Sequence, residues 1–238
     1  MSAARLRPGL WGFAVGACLV AAALVALGTW QLQRRAWKHD LVARVDARIH
    51  AAAVAAPIVC PCDPYARVFA DGVFAHDRET LVQAVTEAGP GFWVLTPLEG
   101  EGRTVLINRG FVPKERRDPA TRAAGQVTGP VRVTGLLRLT EPGGAFLRSN
   151  DPAGGRWYSR DVAGIAAARG LPGAAPYFVD ADATPNPGGL PLGGLTIVAF
   201  PDNHLVYALT WFTLAAMVLG ALAYTLRDAL RSRNDRST

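Results

Sequence analysis

Two uncharged apolar runs stand near the two ends of this 238-residue chain, and nearly everything polar lies between them. The first, Leu10 to Trp30, holds 21 residues without a charge, and the second, Leu205 to Leu226, holds 22. At ~1.5 Å per residue, a helix of that length spans roughly 30 Å, the thickness of a bilayer's hydrocarbon core. A secretory signal would carry an apolar stretch of only about 7–15 residues. The first run is therefore predicted to be an uncleaved membrane helix, despite Arg5 and Arg7 before it and the small residues from Ala21 to Ala26. The second is too long without charge for a globular helix and is predicted to span as well. This gives a tail over 1–9, membrane helices over 10–30 and 205–226, an extracytoplasmic domain over 31–204 and a second tail over 227–238.

Charge fits this division. The chain carries 25 Lys+Arg against 19 Asp+Glu, yet the central 31–204 segment holds 19 basic and 17 acidic side chains, a net of +2. The other four excess charges flank the apolar runs, two at Arg5 and Arg7 and two beyond Leu226, where positive charge fixes topology. Both tails are thus placed in the cytoplasm or mitochondrial matrix. Arg34, Arg35 and Lys38 oppose this, but long domains are translocated largely regardless of charge. No aromatic-interleaved basic patch points to nucleic acid; the implied surroundings are membrane lipid.

From Gln33 to Ala52 the pattern reads as an amphipathic helix, with Trp37, Leu41, Val45 and Ile49 recurring every four residues. Pro57, Pro61 and Pro64 end it. Short β-like runs follow at Arg67–Phe74, Thr80–Val85, Phe92–Leu98, Thr104–Val112, Val131–Leu139, Tyr177–Val179 and Thr196–Phe200. Seven such runs predict an antiparallel sheet closed or folded over itself. One helix interrupts them, Val162 to Arg169, capped by Asp161 and stopped by Gly170. Gly91 reads as a turn before a strand, with Trp93 buried. The fold class is an integral membrane protein in which two transmembrane α-helices flank one mainly antiparallel β, α+β, extracytoplasmic domain. Gly12 and Gly16, with Ala216 and Gly220, have the four-residue spacing that lets membrane helices approach, and the two helices are predicted to pack there.

The residues ask for no catalysis. G-x-S-x-G, H-E-x-x-H, a P-loop and a dinucleotide fingerprint are all absent from the sequence. Of four histidines, His39 and His50 fall on the polar side of the amphipathic stretch as solvated residues, and His76 falls in a turn. Cys18 is a small apolar residue within the first run. Cys60-Pro61-Cys62 could hold a soft metal or a redox pair, but two thiolates do not complete a zinc site. Asn108-Arg109-Gly110 places a charge in mid-strand, as a solvated face, an internal ion pair, or a contact to a propionate or partner. Arg138 and Arg160 pose the same choice and read as structural.

The second membrane helix opens Asn203-His204-Leu205-Val206-Tyr207-Ala208-Leu209-Thr210-Trp211. His204 is either an interfacial anchor beside Tyr207 and Trp211 or a metal or haem ligand. Helical spacing puts His204, Ala208, Trp211 and Ala215 on one face, where the alanines would leave room for a flat macrocycle and Trp211 would wall it.

Several segments, in order, resemble the Surfeit locus protein 1 family. They are Gly28-Thr29-Trp30-Gln31-Leu32-Gln33-Arg34, Pro90 to Leu98, Val105 to Pro113, Gly135-Leu136-Leu137-Arg138, Trp157-Tyr158-Ser159-Arg160-Asp161 and Asn203 to Phe212. The resemblance covers about residues 28 to 216. It implies an assembly factor for haem-copper cytochrome c oxidase, in the bacterial plasma membrane or mitochondrial inner membrane, that binds haem a and assists its insertion into subunit I. It implies as partners subunit I and the haem a biosynthesis machinery, with no enzymatic turnover. His204 occupies the position of the histidine implicated as haem ligand, with Tyr207, Ala208 and Trp211 around it; Cys60 and Cys62 are not part of the family pattern. Two alternatives stand beside this reading. A sensor with two membrane anchors would need an output domain, and only 12 residues follow Leu226. A membrane-anchored thiol or metal redox protein would use Cys60 and Cys62.

Overall fold

The computed structural model describes residues 8–58 and 63–234, so Cys60 and Cys62 lie outside the described residues. The chain forms two compact units, residues 44–198 and residues 1–43 together with 199–238.

The second of these is helical. Helix α1 runs from Pro8 to Ile49 and helix α3 from His204 to Asn234. Over Gly9–Ile49 and His204–Ser232 they are long and apolar enough to cross a membrane. Helix α1 passes Trp30 without a break, so the expected membrane and amphipathic helices are one element. Trp37, expected in the apolar stripe, is instead exposed, and the Arg34 guanidinium lies 4.0 Å over its ring. Among the described residues of this unit the buried positions are Ala21 and Gly28 in α1 and Ala208, Ala215 and Leu222 in α3, each set spaced by seven, while Val45 is buried further along α1. A Cβ on Gly28 would lie 2.6 Å from the Phe212 ring, so this glycine admits the aromatic side chain.

The small residues predicted to bring the helices together do not do so. Gly12, Gly16 and Gly220 have no neighbour within 4 Å of where a Cβ would stand, and Ala216 is exposed. Four-residue spacing occurs on every side of a helix, whereas two turns return to the same side. The hydroxyls of Thr29, Thr210, Thr213 and Thr225 donate to the carbonyl four residues back at 2.8–2.9 Å. A polar side chain in hydrocarbon is satisfied in that way without a partner helix.

Residues 44–198 build a sheet in the order β1-β2-β6-β9-β5-β4-β3. The strands are β1 (Val54–Ala55), β2 (Arg67–Phe74), β3 (Thr80–Thr86), β4 (Gly89–Gly100), β5 (Arg103–Pro113), β6 (Pro130–Leu139) and β9 (Ala174–Ala181). A short hairpin, β7 (Gly144–Ala145) and β8 (Arg148–Ser149), lies apart, and α2 spans Val162–Arg169. Strand β2 also pairs with β4, Val73 opposite Glu99 and Phe74 opposite Leu98. That contact closes β2, β6, β9, β5 and β4 into a five-stranded ring.

Closure brings two backbones together. A Cβ on Gly72 would strike the Glu99 carbonyl, and one on Gly100 would strike that of Asp71. Along β5 and β9 side chains alternate: Val105, Ile107, Tyr177 and Val179 fill the ring, while Leu106 and Phe178 face outward. The outward pair packs with Val82, Leu95, Trp157 and, from α2, Val162 and Ile165. As expected, the Asp161 carboxylate accepts from the Gly164 N–H and Gly170 closes α2 in the left-handed region.

Three readings are corrected. Thr196–Phe200 forms no strand. Gly91 lies within β4, where Phe111 and Val112 leave no room for a Cβ, and Trp93 is only half-buried, edge-on to Phe111. The sheet is mainly antiparallel, as expected, with two parallel pairings, β1 with β2 and β5 with β9. Gly72→Val should force the ring open at its closure and lower stability by about 2 kcal/mol, the cost of overpacking a site that cannot give. Thermal unfolding followed by circular dichroism measures this, with Glu101→Ala in the exposed β4–β5 turn as the comparison.

Candidate functional site

His204 opens α3, and its ring is held before any ligand is considered. Its Nδ1 lies 2.8 Å from the Gln31 Oε1 in α1. An amide oxygen only accepts, so Nδ1 carries the hydrogen there, and in the neutral imidazole Nε2 is then the nitrogen with the lone pair. The His204 backbone N–H donates to the Asp202 Oδ1 at 3.0 Å, and the other Asp202 oxygen accepts from His39 Nε2 at 2.8 Å and Arg35 Nε at 3.4 Å. The His39 bond, the His204 backbone N–H and the Arg35 contact together hold the Asp202 carboxyl down to about 2. Lys38 donates to the Pro201 carbonyl. His39, expected to be merely solvated, thus has a partner, and Arg35 and Lys38 bind the segment that leads into α3. His50 is exposed and bonds within its own turn to the Asp46 carbonyl at 2.9 Å.

The expected face around His204 is real, but it is not open. Ala208 and Ala215 are 1% and 3% exposed, buried within the helical unit. They leave no free surface on which a macrocycle could lie. Trp211 is partly buried on the same side, and Tyr207 is exposed on another. Small residues serve helix packing and ligand access equally well, and sequence spacing does not separate the two. What fits a haem iron here is the Nε2 lone pair of His204, since a second hydrogen bond fixes the tautomer of a ligating histidine.

The second constellation centres on Asp180 in β9, which is 3% exposed. Its carboxylate accepts from Asn108 Nδ2 at 2.7 Å, Arg138 Nη1 at 2.9 Å, Arg160 Nη1 at 3.1 Å and the Thr196 hydroxyl at 3.0 Å. Glu141 shares both arginines, at 2.5 Å from Arg160 and 3.6 Å from Arg138. Burial works against the Arg160 cation, but Glu141 and Asp180 outweigh it and raise its pKa above the ordinary arginine value. Arg138 and Arg160 are therefore structural, as read from sequence.

Arg109 is neither a solvated strand residue nor half of an ion pair. Between Trp93 and Leu95 of β4 the facing strand β5 runs from Phe111 to Asn108, one residue longer. This bulge, with Gly110 at φ +128°, turns Arg109 into the protein, where it is 2% exposed. The Leu192 carbonyl crosses Gly110 so closely that no Cβ would fit, and Phe111 and Leu192 exchange backbone hydrogen bonds of 2.9 Å. Arg109 Nη2 donates to the Gly125 carbonyl and to Asn186 Oδ1, and its guanidinium stacks 4.6 Å over Phe74. Burial pulls its pKa down to about 10, against the attraction of Glu79 and with the repulsion of Arg122. His76 bonds through Nε2 to the Val127 carbonyl at 2.9 Å.

Sequence reading missed Gln31, Asp202 and Asp180. Gln31 lay inside a quoted motif, Asp202 stood two residues before a helix start, and Asp180 followed three apolar strand residues; each was a visible anomaly.

These features define a class of chain with two helices long and apolar enough to cross a membrane and a small closed β-ring between them in sequence. Residues 18–216 match the SURF1 family. The chain is 39% identical over 222 residues to Surfeit locus protein 1 of Mus musculus, covering 83% of this chain and 70% of that protein. It is 36% identical to the Homo sapiens protein of the same name, over 83% and 72% of the two chains. A SURF1-like protein of Monosiga brevicollis is 39% identical over 84% and 82%. The chain belongs to the SURF1 family.

Asp180→Ala would leave the Arg138 and Arg160 guanidiniums facing a single carboxylate in a largely buried site. Loss of one member of a buried charge cluster costs about 3–5 kcal/mol, and thermal unfolding should show it; Asp180→Asn, which keeps the shape and some hydrogen bonds, should cost less.

Proposed function

We propose that this protein is an assembly factor for haem-copper cytochrome c oxidase, which holds haem a through His204 and assists its insertion into subunit I. Membership of the family supports the assembly role. The observation that carries the haem reading is the 2.8 Å contact between His204 Nδ1 and Gln31 Oε1, which leaves Nε2 as a bare nitrogen donor. Haem a, when bound, would supply an iron that the His204 imidazole could ligate. The chain's own residues prepare that imidazole: Gln31 fixes the tautomer and Asp202 anchors the backbone at His204. Tyr207 lies on the exposed surface one turn further on, while Ala208 and Ala215 act by keeping the helices close. Subunit I and the haem a biosynthesis machinery are the partners, and no substrate is turned over.

The protein is placed in the bacterial plasma membrane or mitochondrial inner membrane, with both termini inside and residues 31–204 outside. Three of its charges would contradict that only if short loops carried them. A cysteine introduced at exposed Glu101, in a background with the native cysteines replaced by serine, should react with an impermeant thiol reagent from outside the cell. Reaction only after permeabilisation would reverse the orientation.

Protein purified from cells that make haem a should show a haem optical spectrum. His204→Ala should abolish it while the protein still inserts and folds, and His50→Ala and His76→Ala should leave it unchanged. Gln31→Ala should weaken haem retention by about 10–100-fold, the usual effect of removing a partner that orients a ligating histidine. An unchanged spectrum in His204→Ala would make His204 an interfacial anchor only.

A further inference from the structure

The region 44–198 contains a cavity of about 200 Å³ beside Arg109. Phe74, Ile107, Val131 and Val133 form its apolar walls, and Arg109, Asn186 and Asp182 supply its polar ones. Two partners of the Arg109 guanidinium, the Phe74 ring and Asn186, themselves line the cavity, so the buried cation stands at its wall. Its Nη1 is buried and has no hydrogen-bond partner among the described residues. Buried donors are nearly always paired, and an unpaired one on a cation is costly.

The nearby charges do not answer it. Glu79 attracts Arg109 but is bound by both nitrogens of Arg122, at 3.0 Å for one of them, in a pair whose side chains are 1% and 6% exposed. Glu79 is therefore committed to Arg122. Arg132, also on the cavity lining, is taken by Asp71 in a two-fold contact of 2.7 and 2.8 Å. Asp182 accepts from the Thr184 N–H at 3.0 Å and makes no ion pair among the described residues.

We infer that this cavity is a binding site for a small monocarboxylate, whose carboxylate pairs with Arg109 and whose short aliphatic body fills the apolar walls. Nη2 is committed to Gly125 and Asn186, so Nη1 is left to offer its two N–H donors, charge-assisted, to a carboxylate. The volume is below the roughly 300–1,000 Å³ of ordinary ligand pockets, so the guest is small. Apolar walls disfavour a strongly hydrated anion such as phosphate. Asp182 on the same lining would repel a second negative group, which selects a monocarboxylate over a dicarboxylate. The site draws on residues 44–198 alone and does not depend on the haem reading.

The full-length protein in lipid nanodiscs, titrated with butyrate by calorimetry against protein-free nanodiscs, tests this. Butyrate should bind saturably at one site, with butyramide, succinate and inorganic phosphate each at least tenfold weaker. Arg109→Lys, which keeps the charge but removes the Nη1 donors, should weaken butyrate at least tenfold. Ala181→Leu, which fills the cavity from a half-buried lining position, should do the same even if the Arg109 variant fails to fold. Butyramide or phosphate binding as tightly as butyrate, or undiminished butyrate binding to Ala181→Leu, would overturn the assignment.

Discussion

A five-stranded ring has little interior, and its closure forces two strands to meet with almost nothing between them. Val73 and Phe74 of β2 reach Glu99 and Leu98 of β4 only because Gly72 and Gly100 carry no Cβ where each faces the other strand's carbonyl. Once closed, the ring has a filled inside and an outside that still needs cover. The alternation along β5 and β9 meets both needs, since one set of side chains packs the interior and the other lies beneath α2 and Trp157. Helix α2, its Asp161 cap and its Gly170 stop therefore follow from the ring's need for an outer layer.

Two very different treatments of buried charge coexist in the region 44–198. Around Asp180, opposite charges interlock, and the cluster ties β5, β6 and β9 to the segments carrying Arg160 and Thr196. At Arg109 the neighbours are a ring face, a carbonyl and an amide oxygen, and one nitrogen is left over. The first arrangement is complete by itself. The second is a cation buried at a strand irregularity, the kind of placement that stability alone does not favour and that marks sites reserved for a ligand.

Much of this was legible in the sequence, for identifiable reasons. Strand β2 and helix α2 match their expected bounds because Gly, Pro and a capping Asp punctuate them cleanly. Strand β9 was read only as Tyr177–Val179, since an aspartate in a central strand looks like an ending until its four partners are known. Thr196–Phe200 has β-branched and aromatic composition yet forms no strand; its threonine bonds through its side chain to Asp180. Parallel pairing leaves no mark on periodicity, so the β5–β9 contact was invisible. For His204 the face was legible, but its contents were not: an alanine beside a histidine is equally compatible with a macrocycle and with a neighbouring helix. The 2.8 Å bond to Gln31 joins residues 173 apart in the chain, which no local pattern reveals.

Strand β9 is the last of the ring's five strands to be made, yet it sits between β6 and β5. Until residues 174–181 are available, β5 and β6 each present an open edge, and the two halves of the ring can meet only through β2 and β4. Synthesis thus delivers the central piece last, and with it the carboxylate that neutralises Arg138 and Arg160. The chain's folding is thereby set against its direction of growth: an intermediate cut off before Ala174 would hold paired strands, an unsealed apolar interior and an Arg138 and Arg160 pair with Glu141 alone between them, a state suited to capture by chaperones or proteases.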